Sequence, residues 1–438
     1  MGQSRRRSTE RLSPGLVRVE MRGIGIRYTA MAWKLQMFWW AVAGILEAFE
    51  SRRVHAFFYL WYGTPEVDGQ WQHWNHEVLP HWDASKRTRF PSMIRFNPPE
   101  DVHSPFYPMR GCYSSRNRSV ITQQLQELKE NGIGVVVLSW SGRPDLPGTH
   151  DTQGIRTDDL IELVLDVAQN VDMKVSLHLE PYENRTAFSV REDLVYLAEK
   201  FSTHPAMFRM PSTDLPLYYV YDSYRVPVSE WIQVLRPNRP QTIRGTSADG
   251  CVVGLWLDSH HGHELVDSGF DGAYTYFASD GFTFGSSVAN WRSMSKFSLE
   301  RNFLFIPSVG PGYDDSKIRP WNRENQKPRR DGAYYDKMWQ SAVAGQPEFV
   351  SITSYNEWGE GTQIEPAVPK AVDLEHALDE TTRAQLGLES SYESYEPHDP
   401  FFYLNRTAYW SAFFVEQDYA PFHHVKHEKP THPHLQEL

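Results

Sequence analysis

Short apolar segments recur along the chain from residue 53 onward and alternate with segments of helical periodicity. The apolar segments are rich in β-branched and aromatic side chains, which favours strands buried on both faces. Between most of them, apolar residues recur three and four positions apart, as on one face of a helix. The predicted strands are 55–61, 134–140, 174–179, 217–221, 252–257, 272–276, 303–307 and 349–353.

Helix boundaries are indicated by capping patterns as well as by periodicity. Apolar residues at i, i+4 and i+7 predict helices that include 121–128 and 160–167, the second after a candidate N-cap at Thr157. Ser189 and Glu192 form a capping-box pattern, which predicts that another helix opens there. Further helices are predicted at 228–235, 261–267, 287–300 and 331–345, with a closing helix at 401–410.

Predicted strands that alternate with helices favour an α/β fold, a (β/α)8 barrel of the TIM type, with a doubly wound open sheet as the alternative. Two long loops, 62–118 and 310–330, follow predicted strands and would therefore lie on the catalytic face of a barrel. The predicted organisation is a basic N-terminal leader at 1–52, a catalytic domain at 53–415 and a polar tail at 416–438.

The leader differs in charge from the rest of the chain. Residues 1–27 carry seven Arg and two Glu, whereas the whole chain has 44 basic and 55 acidic residues. An apolar stretch at 37–46 follows, shorter than the roughly 20 residues that a spanning helix needs. This pattern favours a secretory signal or signal-anchor, with an ordinary tail helix or a misassigned start as alternatives. Sequons at Asn117, Asn184 and Asn405 fit a secretory lumen.

Composition excludes several classes of protein. Aromatic residues make up 14% of the chain, which rules out disorder. The net charge of −11 argues against a nucleic-acid binder, which needs a basic face. Two cysteines, Cys112 and Cys251, are too few for a disulfide scaffold or a Cys-rich zinc module. They leave open a single bridge or two unpaired thiols.

Two carboxylates, Glu357 and Glu360, follow the last predicted strand, where catalytic residues of a barrel belong. Gly359 and Gly361 permit the turn that brings the two together. An apolar wall raises the pKa of one carboxyl, so that it acts as an acid while its neighbour stays ionised. Paired carboxylates among aromatic residues indicate glycoside hydrolysis, and a solvated acidic loop is the alternative.

Other strand ends supply candidate substrate contacts. Glu180 ends the third strand, Asp222 ends the fourth, and Arg319 is the best-placed cation to reach a sugar hydroxyl or a carboxylate. Aromatic faces stack on sugar rings, and His and Asn bind hydroxyls. Several strand-end aromatics are therefore expected to line one groove, with the rest in the core: Trp61, Tyr62, Trp71, Trp74, Trp140, Tyr182, Tyr221, Tyr276, Trp321, Tyr355 and Trp358.

A histidine-rich segment, 260–264, has the composition of a metal site but lacks the His-Glu-x-x-His spacing of a zincin helix. Ligands this crowded in sequence rarely face one point, so a loop or a helix start is the favoured interpretation. The sequence contains no phosphate-binding loop or dinucleotide fingerprint. No metal and no cofactor are therefore expected.

A set of motifs between residues 54 and 370 is specific enough to indicate a family. The most specific is Ile-Thr-Ser-Tyr-Asn-Glu-Trp-Gly-Glu-Gly-Thr-Gln-Ile-Glu at 352–365, after the last predicted strand. The others are 61–63, 73–76, 97–99, 106–108, 138–140, 180–182, 219–224, 269–272, 274–277, 306–313 and 318–322. On these motifs, residues 54–370 resemble the endo-α-1,2-mannosidases of glycoside hydrolase family 99.

The resemblance implies a (β/α)8 barrel that cleaves inside glucosylated high-mannose N-glycans with retention of configuration, through a 1,2-anhydro sugar. By motif, Glu357 resembles the base that deprotonates the 2-hydroxyl, and Glu360 the acid that protonates the leaving oxygen and later activates water. The family's Golgi members are anchored in the membrane by one N-terminal segment, so the resemblance implies a Golgi, lumenal location with such an anchor. A monomer is expected. The substrate-binding residues expected are Tyr62, Trp74, His76, Glu180, Asp222, Tyr276, Arg319, Asn356 and Trp358.

Two departures from the family pattern bear on substrate preference. Gly359 stands where many animal members have His, and Ser-Gly-Arg-Pro at 141–144 replaces the usual Tyr-Pro-Pro after Trp140. The latter loop contacts the capping sugar in the family. Two further functions stay open: a non-hydrolytic N-glycan-binding homologue, and a barrel hydrolase of another α-mannoside or a glucan.

Overall fold

The computed structural model describes residues 51–419 and 421–422. Most of the predicted leader and most of the predicted tail, with the signal or anchor interpretation, lie outside these residues. Within the described part of the chain, no helix combines the length and the apolar character needed to cross a membrane.

The strands close into a barrel. Nine of the described strands form one parallel sheet in the order β8-β7-β6-β5-β4-β3-β1-β10-β9. The two end strands, β8 and β9, are consecutive in the chain and are separated by Pro307 alone, which has no N–H for the ladder. They are two halves of one strand, so the ring closes with eight positions. The strands are β1 (Val54–Phe58), β2 (Tyr107–Pro108), β3 (Val135–Trp140), β4 (Lys174–Leu179), β5 (Leu217–Val220), β6 (Cys251–Leu255), β7 (Gly272–Tyr274), β8 (Leu304–Ile306), β9 (Ser308–Val309), β10 (Val350–Ile352) and β11 (Ala367–Val368).

Helices follow most barrel strands, as predicted, which confirms the TIM-type barrel over the open sheet. Two short helices, α1 and α9, were not predicted; α9 lies in a segment whose polar composition gave no helical signal. The helices are α1 (Pro65–Asp68), α2 (Arg118–Glu130), α3 (Asp158–Asn170), α4 (Ala187–Phe201), α5 (Val228–Leu235), α6 (His261–Ser268), α7 (Trp291–Glu300), α8 (Ala333–Val343), α9 (Glu380–Leu386) and α10 (Phe402–Val415).

Two capping predictions were wrong in detail. The capping box of α4 joins Thr186 and Ser189, not Ser189 and Glu192, because the Thr186 hydroxyl accepts the N–H of Ser189 at 3.1 Å. Helix α3 does begin after Thr157, but the Thr157 hydroxyl donates to the Ser139 carbonyl at 3.1 Å and does not cap the helix.

The barrel interior is packed with aromatic rings rather than left as a channel. His55, Phe57, Tyr219 and Tyr274 are fully buried there, and the Tyr219 hydroxyl lies 2.7 Å from His55 Nδ1. Burial lowers the pKa of His55 to about 3, so this ring is neutral. The packed interior forms a rigid floor beneath the carboxyl ends of the strands.

The long loops are fastened to one another behind the catalytic face. Lys317, in loop 310–330, donates to Asp101 Oδ1 at 3.2 Å and to the Val102 carbonyl at 2.7 Å. Arg383 in α9 donates to the other oxygen of Asp101 at 2.7 Å. The two loops therefore hold fixed positions around the strand ends. Both cysteines lie within the described residues and are free thiols.

Candidate active site

A cavity of about 590 Å³ lies at the carboxyl ends of the barrel strands. Its wall is built from the segments that follow β1, β3, β4, β5, β7, β9 and β10. Strand ends are where barrel enzymes place their chemistry, because loop changes there leave the barrel intact. Glu180, Glu357 and Glu360 all line this cavity.

The turn after β10 presents both glutamates to the cavity. Ser354 Oγ accepts the N–H of Glu357 at 2.7 Å, which fixes the start of the turn. Glu357 Oε1 accepts the N–H of Gly359 at 3.1 Å. Gly361 then adopts a φ of 60°, a left-handed conformation that glycine takes without strain. The prediction that glycine permits the turn is thereby confirmed for Gly361, whereas the φ of Gly359 lies outside the left-handed region.

Arg319 supplies the positive charge of the site. Its Nη1 lies 3.1 Å from Glu360 Oε1 and 3.0 Å from Asp315 Oδ2. Burial, and then the charge of Glu360, raises the pKa of Glu357 well above its ordinary value, while Arg319 opposes this shift. Burial also raises the pKa of Glu360, again opposed by Arg319. These upward pKa shifts favour the protonated form of a carboxyl in the pair, and a protonated carboxyl beside an ionised one is the state that acid–base catalysis uses.

Glu180 is held from below by a chain of hydrogen bonds. Its Oε1 accepts the Ser139 hydroxyl at 2.9 Å and lies 2.9 Å from His178 Nδ1. The other ring nitrogen of His178 lies 2.7 Å from the Tyr274 hydroxyl in the barrel interior. Packed groups thus orient Glu180 while 21% of its side chain remains exposed to the cavity.

Tyr276 and His76 complete the set of predicted residues that the cavity contains. Tyr276 has a φ of 53°, and its N–H donates to Ser308 Oγ at 2.7 Å, so neighbouring segments hold it in a strained conformation. His76 Nδ1 lies 2.7 Å from the Glu77 carbonyl and donates to it. Burial lowers the pKa of His76 to about 3, which keeps its ring neutral.

Five predicted substrate contacts do not line the cavity and lie behind its wall instead: Tyr62, Trp74, Asp222, Asn356 and Trp358. Tyr62 is buried, and its hydroxyl donates to the Asn356 carbonyl at 2.9 Å and accepts the Trp358 N–H at 3.2 Å. Asn356 Oδ1 accepts the N–H of Tyr59 at 2.8 Å, which ties the catalytic turn to β1. Tyr62, Asn356 and Trp358 therefore brace the turn that carries the glutamates.

The two others are also engaged within the protein. Trp74 is fully buried, and its Nε1 donates to the Tyr113 carbonyl at 2.8 Å. Asp222 follows β5 in a left-handed conformation and pairs with Arg225 at 2.9 Å. Four of the strand-end aromatics expected to line the groove do line the cavity: Trp61, Tyr182, Tyr221 and Tyr276.

Several other residues that line the cavity were not predicted as substrate contacts, and most of them come from loops without periodicity. Tyr59 and His103 line the cavity, and so do His73 and Asp151, which join two loops across it. His73 Nε2 lies 2.5 Å from Asp151 Oδ2, and the His73 ring stacks on Trp61 at 4.2 Å. One signal was available for Asp315, which stands four residues before Arg319, a spacing that allows an ion pair within one turn.

The histidine-rich segment is a helix start, as favoured. Helix α6 begins at His261, whose Nδ1 accepts the N–H of Leu257 at 3.3 Å and of Asp258 at 3.1 Å. His260, His261 and Glu264 place one ligating atom each within 4.8 Å of the others. None of these three described residues lines the cavity.

A family model described as "Glycosyl hydrolase family 99" matches residues 50–416. The chain belongs to glycosyl hydrolase family 99. It is therefore a glycoside hydrolase, and the resemblance inferred from the motifs is confirmed.

Individual relatives agree with the family model. The chain is 42% identical over 367 residues to a glycoprotein endo-alpha-1,2-mannosidase of Xenopus laevis, which covers 83% of this chain and 77% of the relative. It is also 42% identical to a human glycoprotein endo-alpha-1,2-mannosidase-like protein, covering 83% and 76%. Among solved structures, the GH99 endo-alpha-mannosidase from Bacteroides thetaiotaomicron superposes with a TM-score of 0.73 at 36% identity, over 84% of this chain and 99% of that one.

Proposed function

We propose that this enzyme is a retaining endo-α-1,2-mannosidase that cleaves internal linkages of glucosylated high-mannose N-glycans. The observation that carries the proposal is the convergence of Glu357 and Glu360, with Arg319, on one cavity at the strand ends. The relatives named as endo-α-1,2-mannosidases support the linkage. The volume of the cavity, about 590 Å³, supports an oligosaccharide substrate, because it exceeds the volume of one sugar ring.

In the proposed reaction Glu357 is the general base. It takes the proton of the 2-hydroxyl of the mannose to be released, and that oxygen displaces the leaving group at the anomeric carbon to give a 1,2-anhydro sugar. Burial and the charge of Glu360 raise the pKa of Glu357 well above its ordinary value, which makes it a stronger base once it is ionised. Arg319 and the Gly359 N–H oppose this shift and stabilise the ionised form that the step needs. Glu180, Tyr276 and His76 line the cavity, which supports a role for them in binding substrate hydroxyls.

Glu360 is the general acid in the first step and the general base in the second. Burial raises its pKa, which favours the protonated form at the start of the cycle. It gives this proton to the leaving oxygen and then takes one from the water that opens the anhydro ring. Arg319 bonds to Oε1 and stabilises the carboxylate that exists between the two steps.

The substrate and linkage are tested with a defined glucosylated high-mannose glycan. We expect release of a glucose-capped mannose oligosaccharide, seen by mass spectrometry, with the α configuration retained in the product by NMR. Glu360→Gln protein is the matched control and should bind the glycan without cleaving it. Binding by the native enzyme without release of product would instead indicate a non-hydrolytic homologue, and cleavage only of other α-mannosides or glucans would indicate a different hydrolase.

The anhydro intermediate has its own test. A substrate that has fluorine in place of the 2-hydroxyl of the released mannose cannot form a 1,2-anhydro sugar. We expect neither turnover nor a change in the mass of the protein. A protein adduct one glycosyl unit heavier would show that a carboxylate acts as nucleophile, contrary to the proposal.

We further propose that the enzyme works as a monomer in the Golgi lumen, held to the membrane by the segment within residues 1–52. The basic leader and the apolar stretch at 37–46 support this location. Fluorescence co-localisation with a Golgi marker, combined with extraction by alkaline carbonate, tests it. Protein released by carbonate would contradict the membrane anchor.

A further inference from the structure

Gly359 lies between the two catalytic glutamates and lines the cavity. Its φ is outside the left-handed region, so its backbone conformation does not require glycine. Neighbouring side chains restrict the space around it instead. A Cβ at this position would lie 3.0 Å from Cδ2 and Nε2 of His103 and 3.2 Å from Oε1 of Glu357. The His103 imidazole therefore occupies the volume that a side chain at 359 would enter.

His103 reaches this volume from loop 62–118 and is held firmly there. Its backbone N–H donates to the Trp74 carbonyl at 3.3 Å, and Lys317 anchors the preceding residue through the Val102 carbonyl at 2.7 Å. The ring stacks on His76, with 5.8 Å between centroids and 22° between planes. Only 1% of His103 is exposed, so the ring has little freedom to leave its place.

The chemistry of His103 suits a sugar hydroxyl. Burial lowers the pKa of His103 well below its ordinary value, and the nearby His76 and His73 act in the same direction. The ring is therefore neutral, with one N–H and one lone pair. A hydroxyl both donates and accepts, so it can pair with either nitrogen that faces it.

We propose that His103 is a substrate-positioning residue that hydrogen-bonds a hydroxyl of the sugar held between Glu357 and Glu360. The volume beside Gly359 is filled by the His103 imidazole, which loop 62–118 supplies. The proposal rests on the function proposed above and adds a residue to it.

An exchange of the two side chains tests the proposal. His103→Gly alone should lower kcat/KM for the glucosylated glycan about tenfold, the size of one neutral hydrogen bond. Gly359→His alone should lower it about a hundredfold or more, because two rings compete for one volume. The double variant His103→Gly/Gly359→His should return to within about threefold of the native enzyme, because it restores one imidazole in the shared volume.

Folding and conservative rescue are measured in parallel. Thermal unfolding should show a lower Tm for Gly359→His and recovery in the double variant. His103→Asn, which keeps a hydrogen-bonding side chain, should retain more activity than His103→Gly at equal Tm. Unchanged activity in folded His103→Gly would overturn the proposal, and so would a folded double variant no more active than Gly359→His.

A binding measurement separates this proposal from the proposed reaction. Calorimetry of the same glycan with Glu360→Gln protein does not depend on turnover. Adding His103→Gly to that protein should weaken binding about tenfold. If native enzyme releases no product but this loss is seen, the reaction is wrong and the role of His103 stands; equal binding in both proteins would overturn that role.

Discussion

Three glutamates lie in one short segment, and the surroundings of Glu365 are opposite to those of Glu357 and Glu360. Glu365 is fully buried, and four side chains donate to it. Its Oε1 accepts from Arg110 at 3.3 Å and Gln124 at 2.8 Å, and its Oε2 accepts from Tyr113 at 2.8 Å and Trp358 at 2.9 Å.

Glu357 and Glu360, only a few residues earlier, are bonded sparingly. Glu357 Oε1 accepts one backbone N–H, from Gly359, and Glu360 Oε1 accepts from Arg319. An ionised carboxylate has about four lone-pair sites. Those of Glu365 are taken by the scaffold, whereas Glu357 and Glu360 keep capacity for a substrate. The three glutamates share one motif, so the number of donors, and not the position in the motif, distinguishes Glu365 from the other two.

The largest expected effect is on turnover. Glu360→Gln should lower kcat by about 10²–10⁴, the usual contribution of general acid catalysis, while glycan binding survives. Its stability should not fall, because the change removes a buried charge that Glu357 faces. Activity assays and thermal unfolding of the same preparation check both statements. Native-like turnover would remove Glu360 from the mechanism.

The converse change should act on stability. Glu365→Gln should lower the free energy of unfolding by about 3–5 kcal/mol, because it removes the buried charge that Arg110 faces and turns an NH2 group toward two of the four donors. Urea unfolding followed by tryptophan fluorescence measures this. Protein that stays folded should keep kcat within a few-fold of native. A catalytic loss at unchanged stability would reverse the roles assigned to the two kinds of glutamate.

The charge of Arg319, which lines the cavity, should set the pH range in which the enzyme is active. Arg319 lowers the pKa of both Glu357 and Glu360, so Arg319→Met should raise both. The acid limb of the rate profile requires ionised Glu357 and the alkaline limb requires protonated Glu360, so both limbs should move to higher pH. We expect about a tenfold loss of kcat/KM at the acid limb, one pKa unit being a factor of ten. Arg319→Lys, which keeps the charge, is the control; limbs that stay in place in Arg319→Met would refute the assignment.

A smaller effect is expected from the brace behind the turn. Tyr62→Phe removes the hydroxyl between the Asn356 carbonyl and the Trp358 N–H, and should lower the free energy of unfolding by about 1 kcal/mol. Because Tyr62 does not touch the cavity, KM should stay near native while kcat falls less than tenfold. Chemical denaturation and steady-state kinetics measure these quantities. A rise in KM alone would restore Tyr62 as a direct substrate contact.

The sequence was sufficient to predict the barrel and to predict that the two glutamates after its last strand lie together at the carboxyl end of that strand. The strands carry long apolar runs, and the glutamates stand where a strand ends, so local pattern and topology agree at Glu357. The sequence was insufficient to predict whether a side chain near a strand end points into the cavity or away from it. Tyr62 and Trp358 also stand near strand ends, but contacts with segments some 300 residues away turn them behind the wall. His103 comes from a loop whose path is set by Lys317 and Trp74, partners that no local pattern reveals.

The smallest expected effect is that of a chelator. It tests whether the number of donors to a side chain also decides, outside the motif, if that side chain is free to bind a ligand. His260, His261 and Glu264 form a group of ligating side chains, but His261 Nδ1 already accepts two backbone N–H groups. A neutral ring whose Nδ1 accepts carries its proton on Nε2, which leaves no lone pair there for an ion. EDTA should therefore change neither kcat nor Tm. A loss of activity in EDTA that added Zn²⁺ restores would show that a metal contributes. Abolition of this effect in His261→Gln would assign the metal to this ring despite its two donors.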